Sequence, residues 1–541
     1  MMNKILIGGA WPYANGSLHI GHVAGLLPGD VIARYHRAIG NEVFYVSGSD
    51  CHGTPVTVRA KQEDKSPEAI SDLYHREFCQ CFDKLGFSYD LYGKTSSEEH
   101  KSFVRQFHTN LYRSEYVYEK VMPQAYCETC NQFLPDRYVE GLCPICGEKA
   151  RGDQCDLCRA VLEPEILLEP RCTICGCKPT FKDSKHLFIA ISKLEKELKL
   201  LVDSHSNWRK NAITFTNRYI KEGLRDRALT RDLDWGIDVP YEGYEGKKIY
   251  IWAENVLGYL SMSAELAKLK GIHFKDLWGE GTKHYYVHAK DNIPFHTIIL
   301  PALLICEGSG YHLPDEIISN EYLTLEGHKI STSQNWAIWV KDIINRYNPD
   351  AIRYFLIANG PVKRDTDFSW NEFIKSNNSE LLGGYGNFVN RTVVFIQKYY
   401  NSFIPQGSIE NGVKNRIEET FNRTGECIGK GDLKPALELV FELVRFANKY
   451  FDDSAPWVTR TENSKLCENT MFNCIQLTAN LGVLMAPFLP FSSNKLFDWF
   501  KVDNKWCVKL VPSGFQIPKT DILFERIDKS IVAIEREKLG L

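Results

Sequence analysis

Two histidines three residues apart, His19 and His22, follow a strand-like run and a short polar turn, Pro12-Tyr13-Ala14-Asn15-Gly16-Ser17. A helix starting there offers free N–H groups and the positive end of its dipole, a setting that suits phosphate. Residues three apart on a helical turn share a face. Both imidazoles could then donate to phosphate oxygens as charge develops at phosphorus. Gly21 between them leaves room for a nucleotide to approach the backbone. Taken alone, His-x-x-His describes two ordinary surface or capping histidines. The order strand, glycine, histidines favours the chemical reading.

A second set is made of cysteines. Cys127/Cys130, Cys143/Cys146, Cys155/Cys158 and Cys172/Cys175 form four CxxC pairs, with Cys177 left over. Eight thiolates in four such knuckles suit two tetrahedral four-cysteine zinc sites. Spacing leaves the ligand assignment open. Sequential pairing is possible, and so is a nested arrangement with Cys143, Cys146, Cys155 and Cys158 on one ion and the outer four on the other. A closed site of this kind is structural, because it keeps no open position for a substrate. A redox reading is weak, since the pairs do not open a helix after a strand.

The elements that must carry these groups are readable in outline. Residues 1–115 read as α/β, with the apolar run Glu42–Ser47 and a helical stretch at Asp30–Ile39. The cysteine-rich segment 116–230 interrupts this pattern and ends in a charged helix, Lys193–Asp203. Residues 231–321 return to α/β, with strands expected at Lys248–Trp252 and His284–His288. A linking region, 322–385, holds Lys329-Ile330-Ser331-Thr332-Ser333. From 386 to 541 the pattern is helical, as in Pro435–Phe451. The expected architecture is a split α/β domain with an insertion, followed by helices. The 541 residues carry a net charge of −3, so any nucleic acid must be held by local patches and shape. Nine of the seventeen cysteines fall between Cys127 and Cys177, and no secretion signal precedes them, which favours metal over disulfides. No apolar run is long enough to span a membrane, and a cytoplasmic location is the default expectation.

His19-Ile20-Gly21-His22 resembles the HIGH signature of class I aminoacyl-tRNA synthetases. The Lys329–Ser333 loop resembles their second signature, KMSKS, with Lys329, Ser331 and Ser333 matching and Thr332 standing where a second lysine is usual. This resemblance implies a Rossmann-type catalytic domain that activates an amino acid with ATP and Mg²⁺ and passes it to tRNA. His19, Gly21, His22, Lys290, Asp291, Lys329, Ser331 and Thr332 would lie on the ATP side, and His19, His22 and Lys329 would be catalytic. The cysteine insertion is similar to that of the methionyl family, and this likeness favours nested zinc pairing.

The same likeness implies a methionine pocket built from Trp11, Tyr13, Asp50, Trp252, Asn255, Tyr259, Asn292 and His296. Asp50 would take the substrate ammonium, and aromatic rings suit a thioether. Trp11, Asn255 and Asn292 depart from the smaller or apolar residues of one branch of that family. Asn387, Arg391 and Trp457 match the positions that read the tRNA(Met) anticodon, where unpaired bases are recognised by stacking and hydrogen bonds. The helical pattern runs to Leu541 without the extra module through which some relatives dimerise, so a monomer is expected. The competing readings are a cysteinyl or branched-chain member of the class and a non-enzymatic zinc protein that binds RNA.

Overall fold

The computed structural model describes residues 3–135, 138–152, 155, 157, 158, 162 and 164–540. The elements that build the site are β1 (Lys4–Gly9), α1 (Ile20–Ala38), β2 (Glu42–Ser49), β3 (Leu91–Lys94), β4 (Val117–Cys127), β5 (Thr180–Ile189), α2 (Gly258–Lys270), β6 (Thr282–Ala289) and β7 (Glu316–Asn320). Among the described residues, the central sheet has five strands in the order β7-β6-β1-β2-β3, all parallel. Lys4 on β1 stands opposite Thr282 on β6 and Glu42 on β2. Strands covered on both faces read as continuous apolar runs, and Ile5-Leu6-Ile7 and Val43–Val46 do so. Their side chains alternate between two cores. Ile5, Ile7, Val43 and Tyr45 join the core shared with α1. Leu6, Phe44 and Val46 join the one shared with α2.

Strand order reverses beside β1: β2 and β3 lie on one side, β6 and β7 on the other. Ligands of open parallel sheets bind in the crevice at such a reversal, beyond the carboxyl ends of the strands. In this chain, that crevice is where β1 and β6 end.

The insertion leaves on β4 and returns on β5. The two pair antiparallel from Val117 opposite Ile189 to Tyr126 opposite Thr180. At the far end, Val139–Leu142 pairs with both Lys149–Arg151 and Leu168–Cys172. Helices close the chain: α3 (Asn387–Tyr399), α4 (Asn411–Gly429), α5 (Leu433–Ser454), α6 (Pro456–Glu462) and α7 (Ser464–Met485). Their apolar faces continue the α1 core without a break. A buried ion pair ties the two regions together. Asp30 on α1 accepts from Arg353 at 2.6 Å, and Arg353 also donates to the Phe488 and Leu85 carbonyls at 2.8 and 3.2 Å. Both side chains are fully buried.

Two local expectations change. The strand expected at Lys248–Trp252 covers only Lys248–Ile249, and Ile251–Ala253 forms a 3₁₀ turn closed by Ala253 N–H to the Tyr250 carbonyl at 2.9 Å. The turn brings Trp252 inward against the segment holding His296, which an extended chain would not do. The charged helix spans Glu195–Ser204, and Lys193 and Leu194 belong to the 3₁₀ turn Ile191–Leu194 that precedes it.

Candidate active site

A cleft of about 320 Å³ opens at the strand-order reversal, lined by β1's exit (Ala10–Pro12), the start of α1, His288 and Ala289 at the end of β6, and Lys329–Ile330. His19 is the N-cap of α1. Its Nδ1 accepts from Gly21 N–H at 3.2 Å, while its own backbone N–H donates to His22 Nδ1 at 3.1 Å. This is a capping box made of two histidines, with the rings stacked at 3.8 Å. A backbone N–H only donates, so both Nδ1 atoms are unprotonated. Burial holds His22 down to about 4 and, with His22 beside it, keeps His19 well below the usual range. Both imidazoles are therefore neutral near pH 7, with the proton on Nε2. They are uncharged hydrogen-bond donors at a helix N-terminus.

The glycine between them has an intramolecular reason. A Cβ at Gly21 would lie 3.0 Å from the His19 ring and 3.3 Å from Ile330 Cδ1. Gly21 thus lets His19 fold back over its own turn and lets the Lys329 loop seat against α1. That loop is a tight hairpin. Thr324 and Leu325 pair with Lys329 and His328, Ser331 and Trp336 exchange both backbone hydrogen bonds at 2.9 Å, and Trp336 Nε1 donates to the Leu325 carbonyl at 2.9 Å. Lys329, Thr332 and Ser333 are exposed, and Ser331 and Ser333 hydroxyls lie 3.3 Å apart. Asp291 and Asn292 line the cleft. The Lys290 ammonium is held at the rim by Glu321 at 2.8 Å and Asp365 at 2.6 Å.

The other group gathers around Asp50, immediately after β2. Its backbone bridges Tyr13, and its carboxylate accepts from Asn255 Nδ2 at 3.0 Å and His52 N–H at 3.3 Å. The side chain is completely buried, and among the described residues no cation pairs with it. Burial, with the Glu254 charge adding to it, pushes the carboxyl well above the ordinary range. A ligand cation placed there would restore its ionisation.

Beside it, His296 sits in a π-helical turn, Phe295–Ile299, a distortion frequent at functional sites. Its Nδ1 meets the Asn292 carbonyl at 2.9 Å and its Nε2 meets Tyr259 Oη at 2.8 Å. A carbonyl only accepts, so Nδ1 carries the proton and Tyr259 donates to Nε2. Burial lowers His296 to about 4 and keeps it neutral. Trp11 meets Tyr259 edge-on at 6.4 Å. Its indole fills space left by two glycines: a Cβ at Gly258 would lie 2.5 Å from the ring, and one at Gly48 would overlap it.

Sequence reasoning missed His288. Its ring stacks on His296 at 4.2 Å, its Nδ1 meets the Ala289 carbonyl at 2.9 Å, and its buried Nε2 has no partner among the described residues. Its place at the end of β6, at the reversal, was the available signal.

The eight CxxC cysteines form two quartets among the described residues: Cys127, Cys130, Cys172 and Cys175, and Cys143, Cys146, Cys155 and Cys158. The nested alternative is thus the one the fold adopts. Within each quartet the sulfurs lie within 4.8 Å of one another. A tetrahedral ion about 2.3 Å from each sulfur needs edges of about 3.8 Å, and contacts of 3.4–4.0 Å fit that requirement. Backbone N–H groups of Cys130 and Ile145 donate to Cys127 and Cys143 Sγ at 3.4 Å. Cys177 lies outside both quartets, its carbonyl accepting from Cys172 N–H at 2.8 Å.

On the helical side, Asn387 Nδ2 meets Asn448 Oδ1 at 3.5 Å, and Arg391 pairs with Asp452 at 2.6 Å. The Arg391 guanidinium lies over the Phe451 ring at 4.3 Å and 5.9 Å from the Trp457 ring. Trp457 follows a left-handed turn at Ala455, φ 38°, and is 51% exposed. A core anchor would be covered. No described helix is long and apolar enough to cross a membrane.

Comparison with known proteins agrees with this layout. Residues 5–393 match the family described as tRNA synthetases class I (M), and residues 405–539 match the anticodon binding domain of methionyl tRNA ligase. The chain is 52% identical over 540 residues to methionine–tRNA ligase 1 of Alkaliphilus oremlandii (strain OhILAs), covering 99% of this chain and 100% of the relative. It is 53% identical over 541 residues to the methionine–tRNA ligase of Bacillus cereus (strain Q1), covering 99% of both. A solved structure, Mycobacterium tuberculosis methionyl-tRNA synthetase in complex with methionyl-adenylate, shares the fold with a TM-score of 0.80 at 20% identity, over 97% of this chain and 100% of that one. By family match and by full-length identity, the chain belongs to the methionyl branch of the class I tRNA synthetases, the methionine–tRNA ligases.

Proposed function

We propose that the cleft joins L-methionine to ATP as methionyl-adenylate and passes the methionyl group to the 3′-terminal adenosine of tRNA(Met), releasing pyrophosphate and then AMP. The observation that carries this reading is the neutral histidine pair at the strand-order reversal, facing the Lys329 loop across one cleft. Asp50 takes the substrate ammonium. Tyr13, Trp252, Tyr259, His296, Trp11, Asn255 and Asn292 shape the side-chain pocket. A methionine carboxylate oxygen attacks the α-phosphorus, and the bond to pyrophosphate breaks. No covalent enzyme intermediate is needed. The enzyme contributes position and fixed dipoles aimed at developing charge. His19 and His22 donate through Nε2 to the phosphate oxygens. Gly21, Asp291 and Ser331 border the nucleotide, and Lys290 lies at its rim. Lys329 takes the departing pyrophosphate, and Mg²⁺ enters as part of the ATP substrate. Thr332 offers a hydroxyl where a second ammonium is usual, so Lys329 carries more of that charge.

Each cysteine quartet holds one zinc ion as a structural clasp. The α3–α6 surface of Asn387, Arg391 and Trp457 reads the anticodon. We also infer five functional segments, 1–115, 116–230, 231–321, 322–385 and 386–541, and a cytoplasmic monomer.

Amino-acid-dependent ATP–pyrophosphate exchange with all twenty amino acids tests the reading. Signal is expected for methionine. Signal for cysteine or leucine would overturn the substrate, and signal for none would favour an RNA-binding zinc protein. His22→Ala should lower methionine-dependent exchange about 10²- to 10³-fold, as loss of one charge-stabilising donor does elsewhere.

A further inference from the structure

Behind Asp50 lies a buried pair that the reaction above does not use. Glu254 Oε1 accepts from His52 Nδ1, and both side chains are 1% exposed. His100 Nε2 lies 3.7 Å from the same oxygen, and His100 Nδ1 meets Ser261 Oγ at 2.8 Å. Glu254 therefore ties the segment after β2 to the turn before α2.

Each end of that tie adjoins a donor to Asp50. The backbone N–H of His52 serves Oδ1, and the side chain of Asn255, next to Glu254, serves Oδ2. Once a ligand cation ionises Asp50, its carboxylate only accepts, so the Asn255 amide keeps Nδ2 turned towards it. That choice leaves Asn255 Oδ1 buried without a partner among the described residues. A buried, unpaired amide oxygen is costly unless a ligand supplies a donor. An α-ammonium has three N–H groups, and His52 and Asn255 already occupy two of the roughly four acceptor sites of the carboxylate.

We propose that Glu254, through His52, is a positioning residue that holds Asp50 and Asn255 together, so that a carboxylate–carboxamide pair receives the ammonium of the amino acid. This rests on the reading of Asp50 as the ammonium site. Glu254 does not touch substrate. It fixes the spacing of the two segments whose side chains do, and a displacement of about 1 Å in such groups can cost 10²-fold.

Steady-state ATP–pyrophosphate exchange on the full-length protein separates the possibilities. Glu254→Ala should raise the KM for methionine about ten- to hundredfold, with the KM for ATP unchanged. Glu254→Gln keeps an acceptor for His52 and should raise it less. Its second signature is a pH profile. Burial is the main cause of the raised Asp50 carboxyl; among the groups around Asp50 and Glu254, which are His52, His100 and the Cys51 thiol, the Glu254 charge is the one that adds to that rise. Removing that charge should move the acid limb of kcat/KM for methionine to lower pH. A merely structural role would not produce that shift. If Glu254→Ala does not fold, Glu254→Gln decides alone.

Asp50→Asn is the control. If it raises the KM for methionine while both Glu254 variants leave KM and the acid limb unchanged, the positioning role is wrong and the Asp50 reading stands. If Glu254 variants raise both KM values alike, the residue is structural and the proposal fails. If Asp50→Asn leaves methionine binding intact, the Asp50 reading fails and takes the proposal with it.

Discussion

In the cleft, His19, His22, Asp50 and Tyr259 each meet a protein partner, and they lie on helices or strand ends packed with a sheet whose strands are buried on both faces. At the end of the insertion, eight cysteines meet chiefly one another and a few backbone N–H groups. The local core there holds eleven buried residues among those described, and four of them are cysteines of the quartets. A core that small supplies little stability on its own. One chain thus arranges its groups in two ways: reciprocal hydrogen bonds backed by a large core, and cysteine quartets spaced to hold an ion. The difference implies that the two regions fail separately.

Metal removal is the largest expected effect. Structural zinc supplies about 10–16 kcal/mol of apparent free energy in small domains at pH 7. A chelator should therefore abolish amide protection between Cys127 and Cys175, with metal stoichiometry falling from two ions to none, while β1, β2 and β6 stay protected. Equal loss in the central sheet, read by hydrogen exchange, would break the comparison.

The next prediction goes to the large core. Burial raises the Asp30 carboxyl, but Arg34 and Arg353 outweigh it and hold the group at about 2 against an ordinary 3.8. A folded value below the unfolded one means stabilisation present above about pH 4 and lost as pH falls towards 2. Arg353→Met removes one partner and leaves a buried carboxylate short of charge, at a cost of about 3–5 kcal/mol. The urea midpoint should fall, and the acid transition should begin at higher pH than in the parent. Cysteine-quartet metal content should not change, and a change in it would show that the two regions are coupled.

The smallest expected effect concerns the helical surface. Trp457→Ala should weaken tRNA(Met) binding by about 1–3 kcal/mol, the usual range for a base-stacking ring. Methionine-dependent exchange should be unaffected. A filter-binding titration checks the first, and a fall in exchange would mean that Trp457 acts on folding instead.

Much of this molecule is written locally and can be read from the sequence. The strand at Glu42–Ser47 and the helix through Asp30–Ile39 follow from apolar pattern, and the histidine pair stands where a strand gives way to a helix. Contacts between distant segments are different. CxxC spacing permits both sequential and nested quartets, and only the pairing of β4 with β5 brings Cys127 to Cys175. The turn at Ile251–Ala253 reads as strand because Ile-Trp favours extended chain, yet tertiary packing pulls Trp252 inward. His288, Glu254 and His52 carry no motif. Their roles arise from residues up to 202 positions away, as in the His52–Glu254 contact. Gly21 was legible as a requirement and not as a reason, since its crowding neighbour is the ring of His19.

Trp11 has an evolutionary consequence. Its indole occupies the space that a methyl group at position 48 or 258 would need. The three positions are therefore inherited as a unit, and the order in which they can change is constrained. The ring must shrink before either glycine can grow, because the reverse path passes through an overpacked intermediate. Descendants of this sequence that lose Trp11 are free to drift at 258, whereas a Cβ at 48 would still meet the Gly93 carbonyl oxygen at 2.7 Å. Those that retain it should keep both glycines, and this covariation can be sought across lineages.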